Sequence, residues 1–173
     1  MPELADPNFH KTVTCICEHT NQGALGIVIN RIHPHLSGKS IFEEFNLSPG
    51  PGSEQIPIYI GGPVHPNEVF VLHRPPFCWE GCLRVTPTLA LSNTRDIIEA
   101  VSKCQGPESF IITLGCAGWG ESQLEMEIKQ NAWLTCNIAE EIIFNVRNEN
   151  RWNESVRKVG IDPMLLTHTA GHA

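Results

Sequence analysis

The sequence predicts an α+β fold in which a mixed sheet is flanked by helices, and three observations carry that reading. Four strand-like segments precede the first long helical one. The order strand, strand, strand, strand, helix, strand, helix, helix is not the regular alternation of a doubly wound parallel sheet. The 173 residues, 41% hydrophobic and 18% charged, suit one core-forming domain over 1–173 that buries roughly 70% of its unfolded surface.

In order along the chain, Thr12 to Cys17 is rich in β-branched residues, and Leu25 to Asn30 is apolar and follows Asn21-Gln22-Gly23. The pair reads as a β-hairpin. A short helical piece over Ser40 to Asn46 precedes a Pro, Gly and Ser-rich loop from Ser48 to Ser53 and a strand at Pro57 to Ile60. Glu68 to His73 forms the next strand, ended by Pro75-Pro76 because proline has no donor for the ladder. From Asn93, read as an N-cap, the spacing turns helical, with Ile97, Val101 and Cys104 on one face and Gly106-Pro107 as the stop. Ser109 to Leu114 is an apolar strand that runs into Gly115, Gly118 and Gly120, read as a flexible connection. Ser122 and Glu125 have capping-box spacing for a second helix, with Leu124 and Ile128 as its buried stripe and a Glu125–Lys129 pair at i,i+4. A third helix spans about Glu149 to Val159 through Trp152, Val156 and Val159, with Gly160 after it. No internal repeat or long linker interrupts this order.

Charge and cysteine usage exclude several classes. Twelve basic against nineteen acidic residues give a net charge of -7, so the averaged field repels phosphate backbones and anionic lipid. Seven cysteines is an odd number, read as reduced thiols. No signal-like segment opens the chain, and no apolar run approaches the roughly 20 residues of a membrane-spanning helix. A cytoplasmic protein is expected.

Several segments together resemble the YqgE/AlgH family. They begin with Met1-Pro2-Glu3-Leu4-Ala5-Asp6-Pro7-Asn8-Phe9, then Cys17-Glu18-His19 and Gly23-Ala24-Leu25-Gly26-Ile27-Val28-Ile29-Asn30. Pro57-Ile58-Tyr59-Ile60-Gly61-Gly62-Pro63-Val64 with Phe70-Val71-Leu72-His73 resembles the family's central signature. Gly118-Trp119-Gly120, Gln123-Leu124-Glu125, Glu127-Ile128 and Asn131-Ala132-Trp133-Leu134 resemble its second, and Trp152, Gly160-Ile161-Asp162 and Gly171-His172-Ala173 its tail. The resemblance implies a mixed sheet strongly bent into a pseudo-barrel, in a family described as transcriptional regulators. The sequence departs from the family at Ser122, where glycine is usual, and at Cys116, where an aromatic residue is common.

Each chemical motif has a structural alternative. The Gly115, Gly118, Gly120 segment before a helix could bind an anion, but no P-loop Lys follows, and Glu121 and Glu125 would compete for the positive end. Cys15, Cys17 and His19 share one side of a regular strand and could begin a metal site, yet a fourth ligand is missing and buried cysteine is the ordinary reading. Cys116 stands out as the most accessible-looking thiol for nucleophilic chemistry, and His73 as a general base if it is not simply a hydrogen-bonded structural histidine. His168 and His172 are four apart in a tail read as frayed. Arg31, Arg74, Arg84 and Arg95 are scattered, and no basic helix or zinc finger points to direct DNA recognition.

The resulting expectation is a binding or regulatory protein acting through a small ligand or a protein partner, with no cofactor, metal or catalytic residue assigned. Its surface is placed where Asn30, Gly61, Gly62, Pro63, His73, Trp119, Gln123 and Asn131 could converge: glycines admit a close backbone, Trp119 gives an apolar face, and the amides hydrogen-bond. Two alternatives are an enzyme using His73 with a cysteine or carboxylate, and a DNA-binding regulator.

Overall fold

Alternating β-branched and apolar residues produce two-faced strands, and a computed structural model, which describes residues 8–165, shows how they are joined. β1 (Thr14–Thr20) and β2 (Gly23–Val28) form the expected antiparallel hairpin, with a bulge between Ile16 and Glu18. β3 (Ile32–Ser37), α1 (Gly38–Glu44), β4 (Pro57–Ile60) and β5 (Val64–His73) follow. Next come β6 (Leu83–Thr86), β7 (Leu89–Ser92), α2 (Arg95–Ser102) and β8 (Phe110–Trp119), then α3 (Gln123–Lys129), α4 (Glu140–Phe144) and α5 (Arg151–Lys158). The sheet runs β1-β2-β8-β5-β7-β6, with β4 parallel to β8 and antiparallel to β3. Because β1 also approaches β6, the strongly bent sheet is a nearly closed barrel. The fold is α+β with a mixed sheet, as the element order predicts.

β8 organises the barrel and is longer than the apolar run from Ser109 to Leu114 predicts. Rather than stopping at Leu114, it continues to Trp119, so the Gly115 to Gly120 segment is mostly strand. Gly115 lies at φ +71, a left-handed residue that shifts which side chains face inward. Before it, Ile111 faces the barrel core while Ile112 and Leu114 face outward; after it, Cys116 faces inward and Ala117 and Trp119 outward. At the same point β8 changes neighbour on one edge, from β4 at Ile112 to Leu114 to β2 at Ala117 to Trp119. Gly61 and Gly62 lead across this junction. A Cβ on Gly61 would lie 2.2 Å from the Gly115 carbonyl oxygen, and one on Gly62 would lie 2.3 Å from that of Cys116. Gly61 donates to Leu114 and accepts from Val28, so three strands are joined through this one residue.

Two apolar layers result. Inside the barrel, Ile27, Ile29, Phe70, Leu72, Leu89 and Ile111 pack together. Outside, Phe42 of α1 and Ile97, Ile98 and Val101 of α2 cover Ile58, Val69, Val71 and Ile112. The predicted α2 begins after Thr94, not Asn93, and Asp96 accepts from the Thr94 hydroxyl and the Ile97 amide. The capping box expected at Ser122 does not form: Ser122 is left-handed at φ 60, and its side chain makes no capping bond. β3, the β6–β7 hairpin and α4 have no counterpart in the predicted elements, being short or, like His33-Pro34-His35, without alternation. Among the described residues no helix is long and apolar enough to cross a membrane.

Candidate functional site

The outer face of β1 carries Thr14 and Ile16, and α3 turns Leu124 and Ile128 toward it. After α3 the chain from Ala132 to Ala139 has no regular structure, and this strap runs on into α4. Ile142 and Ile143 of α4, with Trp152, Val156 and the following Val159 from the α5 region, complete the enclosure. Between these elements lies a cavity of about 290 Å³. No side chain lining it is charged, and three indoles, Trp119, Trp133 and Trp152, stand in its wall. Thr135 to Ile138 line it and are exposed, so the strap is both cavity wall and protein surface.

One end is fixed by Glu127. Its Oε2 accepts the indole N–H of Trp119 at 2.9 Å and of Trp133 at 2.8 Å, while Oε1 accepts the Gln123 amide at 2.9 Å. Charge-assisted bonds of this kind are among the stronger ones, and here they orient two rings at once. Phe9 packs on both indoles, stacked on Trp119 and edge-on to Trp133. His19 of β1 bonds Glu125 of α3 at 2.7 Å. The Glu125 amide and His19 hold that carboxyl below its ordinary pKa.

Another edge is built by a strained turn that follows Phe9. Lys11 is left-handed at φ 52, and Asn30 clamps it, donating to the Lys11 carbonyl at 2.9 Å and accepting the Val13 amide at 2.8 Å. The turn places the Lys11 ammonium 5.5 Å from the centre of the Trp152 ring. Nearby, the buried Arg151 donates to the carbonyls of Ile29 and Val146 and lies over the Tyr59 ring.

The residues expected to converge are divided among separate places. Trp119 and Gln123 meet at Glu127, but only Trp119 lines the cavity. Asn30 holds the Lys11 turn, and Asn131, at φ 57, ends α3 by donating to Ile128. Gly61 and Gly62, with the exposed Pro63 after them, lie against the middle of β8. His73 pairs with Phe110 at the far end of β8 from Trp119, so His73 and the Trp119 loop are not brought together. Its ring is fully buried beside Phe77 and Trp79, with Nδ1 on the Arg74 carbonyl and Nε2 on the Ser92 hydroxyl. Burial pushes its pKa below the ordinary value, the Arg74 carbonyl opposing.

The other motifs are absorbed by the fold. Cys15 and Cys17 are buried in the barrel, whereas the bulge sends His19 out to Glu125, so the three do not form a metal site. Among the described residues no cluster of His, Cys, Asp and Glu could hold a metal. Cys116 is fully buried rather than accessible, and burial and the nearby Glu68 raise its pKa. Cys17 is likewise raised, by its hydrogen bond with Cys15 and by burial. His168 and His172 lie outside the described residues. The strap carries no motif in the sequence that marks it as a site. Its signal is eight consecutive uncharged residues, Ala132 to Ala139, between the charged α3 and α4.

The sequence matches the AlgH-like family over residues 1–164. A UPF0301 protein of Desulforapulum autotrophicum is 53% identical over 93% of this chain and 85% of its own. One from Thiobacillus denitrificans is 45% identical over 100% of this chain and 93% of its own. The solution structure of AlgH from Pseudomonas aeruginosa superposes with a TM-score of 0.82 at 41% identity, over 100% of this chain and 92% of that one. The crystal structure of DIP2367 from Corynebacterium diphtheriae shares the fold at a TM-score of 0.71 and 17% identity, over 90% and 81% of the two chains. The chain belongs to the AlgH-like family.

Proposed function

We propose that this AlgH-like protein is a cytoplasmic ligand-binding protein of regulatory type, the apolar body of its ligand held between β1, α3, the strap, α4 and α5. The observation that carries the reading is the cavity of about 290 Å³ with no charged lining residue. It is near the lower end of the roughly 300–1,000 Å³ of small-molecule sites, and its indole-rich wall suits an apolar guest. Filling it would press on the exposed strap from Thr135 to Ile138, giving a protein partner a surface that differs between empty and occupied states. Seven unpaired thiols suit a reducing compartment.

The enzyme reading has less support, because both ring nitrogens of His73 are engaged and the ring is shut off from solvent. Direct DNA binding has only scattered arginines behind it and a net charge of -7 against it.

Neutral N-phenyl-1-naphthylamine, which brightens in apolar surroundings, tests the site. One probe is expected to bind per chain with quenching of tryptophan emission, and Ser155→Phe, which projects a ring into the cavity, is expected to weaken binding by more than about tenfold. Absence of saturable binding by the folded wild-type protein contradicts the reading.

A further inference from the structure

The cavity is uncharged, yet the chain spends strain at its edge to hold one cation. Lys11 is not a glycine, and left-handed backbone is costly for it. The Asn30 side chain offsets that cost by bonding both sides of the turn, to the Lys11 carbonyl and the Val13 amide. Thr12 and Val13, the next two residues, line the cavity, and so does Trp152, whose ring the ammonium faces. Lys39, Lys103 and Arg157 each pair with a carboxylate, at 2.8, 2.6 and 2.5 Å. The Lys11 ammonium instead has an aromatic ring and open solvent: it is exposed, with no carboxylate among the described residues within ion-pair distance. A cation fixed beside an apolar chamber complements a molecule with two unlike ends.

Resting on the cavity reading above, we propose that the ligand is a single-chain anionic amphiphile, its hydrocarbon body in the cavity and its carboxylate at the mouth against Lys11. The uncharged wall excludes a charged body such as a nucleotide or sugar phosphate, because burying an ion against apolar side chains without a partner is prohibitive. The carboxylate remains in water, where Lys11 gives it a partner and a modest preference over other heads. Thr135 also lines the cavity and offers a neutral hydrogen bond to a polar group.

Three probes of one chain length separate the claims: decanoate, decanol and decyltrimethylammonium, each below its micellar concentration and titrated into wild-type protein and Lys11→Met while tryptophan fluorescence is followed. The expected result is saturable binding of decanoate and decanol, with decanoate favoured over the cationic probe by about tenfold. Lys11→Met is expected to cost decanoate about three- to fivefold and decanol less than twofold, in line with an exposed charge pair. Saturable decanol binding, with decanoate no better than the cation or unaffected by Lys11→Met, overturns the anionic-head assignment and leaves the cavity reading standing. If none of the three binds to folded protein, the cavity reading itself fails.

Discussion

The glycine crossing in the middle of β8 and the strap-covered cavity below its end are opposites in packing. At Gly61, Gly62 and Gly115 three backbones come so close that a methyl group has no room. Beneath the strap, side chains leave about 290 Å³ unfilled. A permissive-looking, glycine-rich sequence thus encodes the most constrained place in the barrel, while a plain uncharged stretch encloses space that a guest could fill. Glycine reports close approach as readily as it reports a ligand, and only the neighbouring strand distinguishes the two.

Substitutions at the crossing should have the largest effect. Gly61→Ala or Gly62→Ala is expected to destabilise the protein by at least about 3 kcal/mol in urea unfolding, because the new Cβ meets backbone that cannot move independently. A loss below about 1 kcal/mol would mean the crossing has slack. The cavity side should respond less. Trp133→Phe keeps an aromatic ring, though a smaller one, and removes the bond to Glu127, costing about 1–2 kcal/mol and leaving the strap more open to amide exchange. Unchanged exchange from Leu134 to Ile138 would show that Glu127 does not anchor the strap.

Much of the barrel was legible because its strands obey period two: the β1–β2 hairpin, β4, and the start of β8 follow directly from the residues. The rest failed for physical reasons. β8 past Leu114 was hidden because Gly115 reverses its inside–outside pattern, so an alternation test stops there. β3 was hidden because Ile32-His33-Pro34-His35, in a strand paired with β4, shows no clean alternation. Of the site, Trp119 is legible in the sequence and lines the cavity, and Asn30 supports its edge through Lys11. Thr12, Val13, Trp152 and the strap meet only through long-range packing, which spacing along the chain does not encode.

His73 extends the contrast to pH. Its pKa is depressed in the folded state, so the unfolded chain takes up the proton first. Its contribution to stability is present above the unfolded value of about 6.5 and is lost as pH falls below it toward the lower folded value. His73→Gln should therefore start less stable at pH 8 and lose less on going to pH 5 than the wild type. Parallel stability curves for the two proteins would remove His73 from this account.

The smallest expected effect is at Ser122, a non-glycine residue that adopts φ 60. Ser122→Gly relieves left-handed strain while adding unfolded-state freedom, for a net gain of a few tenths to about 1 kcal/mol in thermal unfolding. A loss of stability would show that the serine is not strained there.

The most direct test is an amide chemical-shift map of 15N-labelled protein titrated with decanol, a neutral guest that does not depend on Lys11. Saturable shifts are expected in Trp133 to Ala139, in α5 around Trp152 and Val156, and in Thr12 to Ile16, with Gly61, Gly62 and Gly115 little changed. Shifts centred on the glycine crossing or on His73, or no saturable shift at all, would contradict the cavity reading.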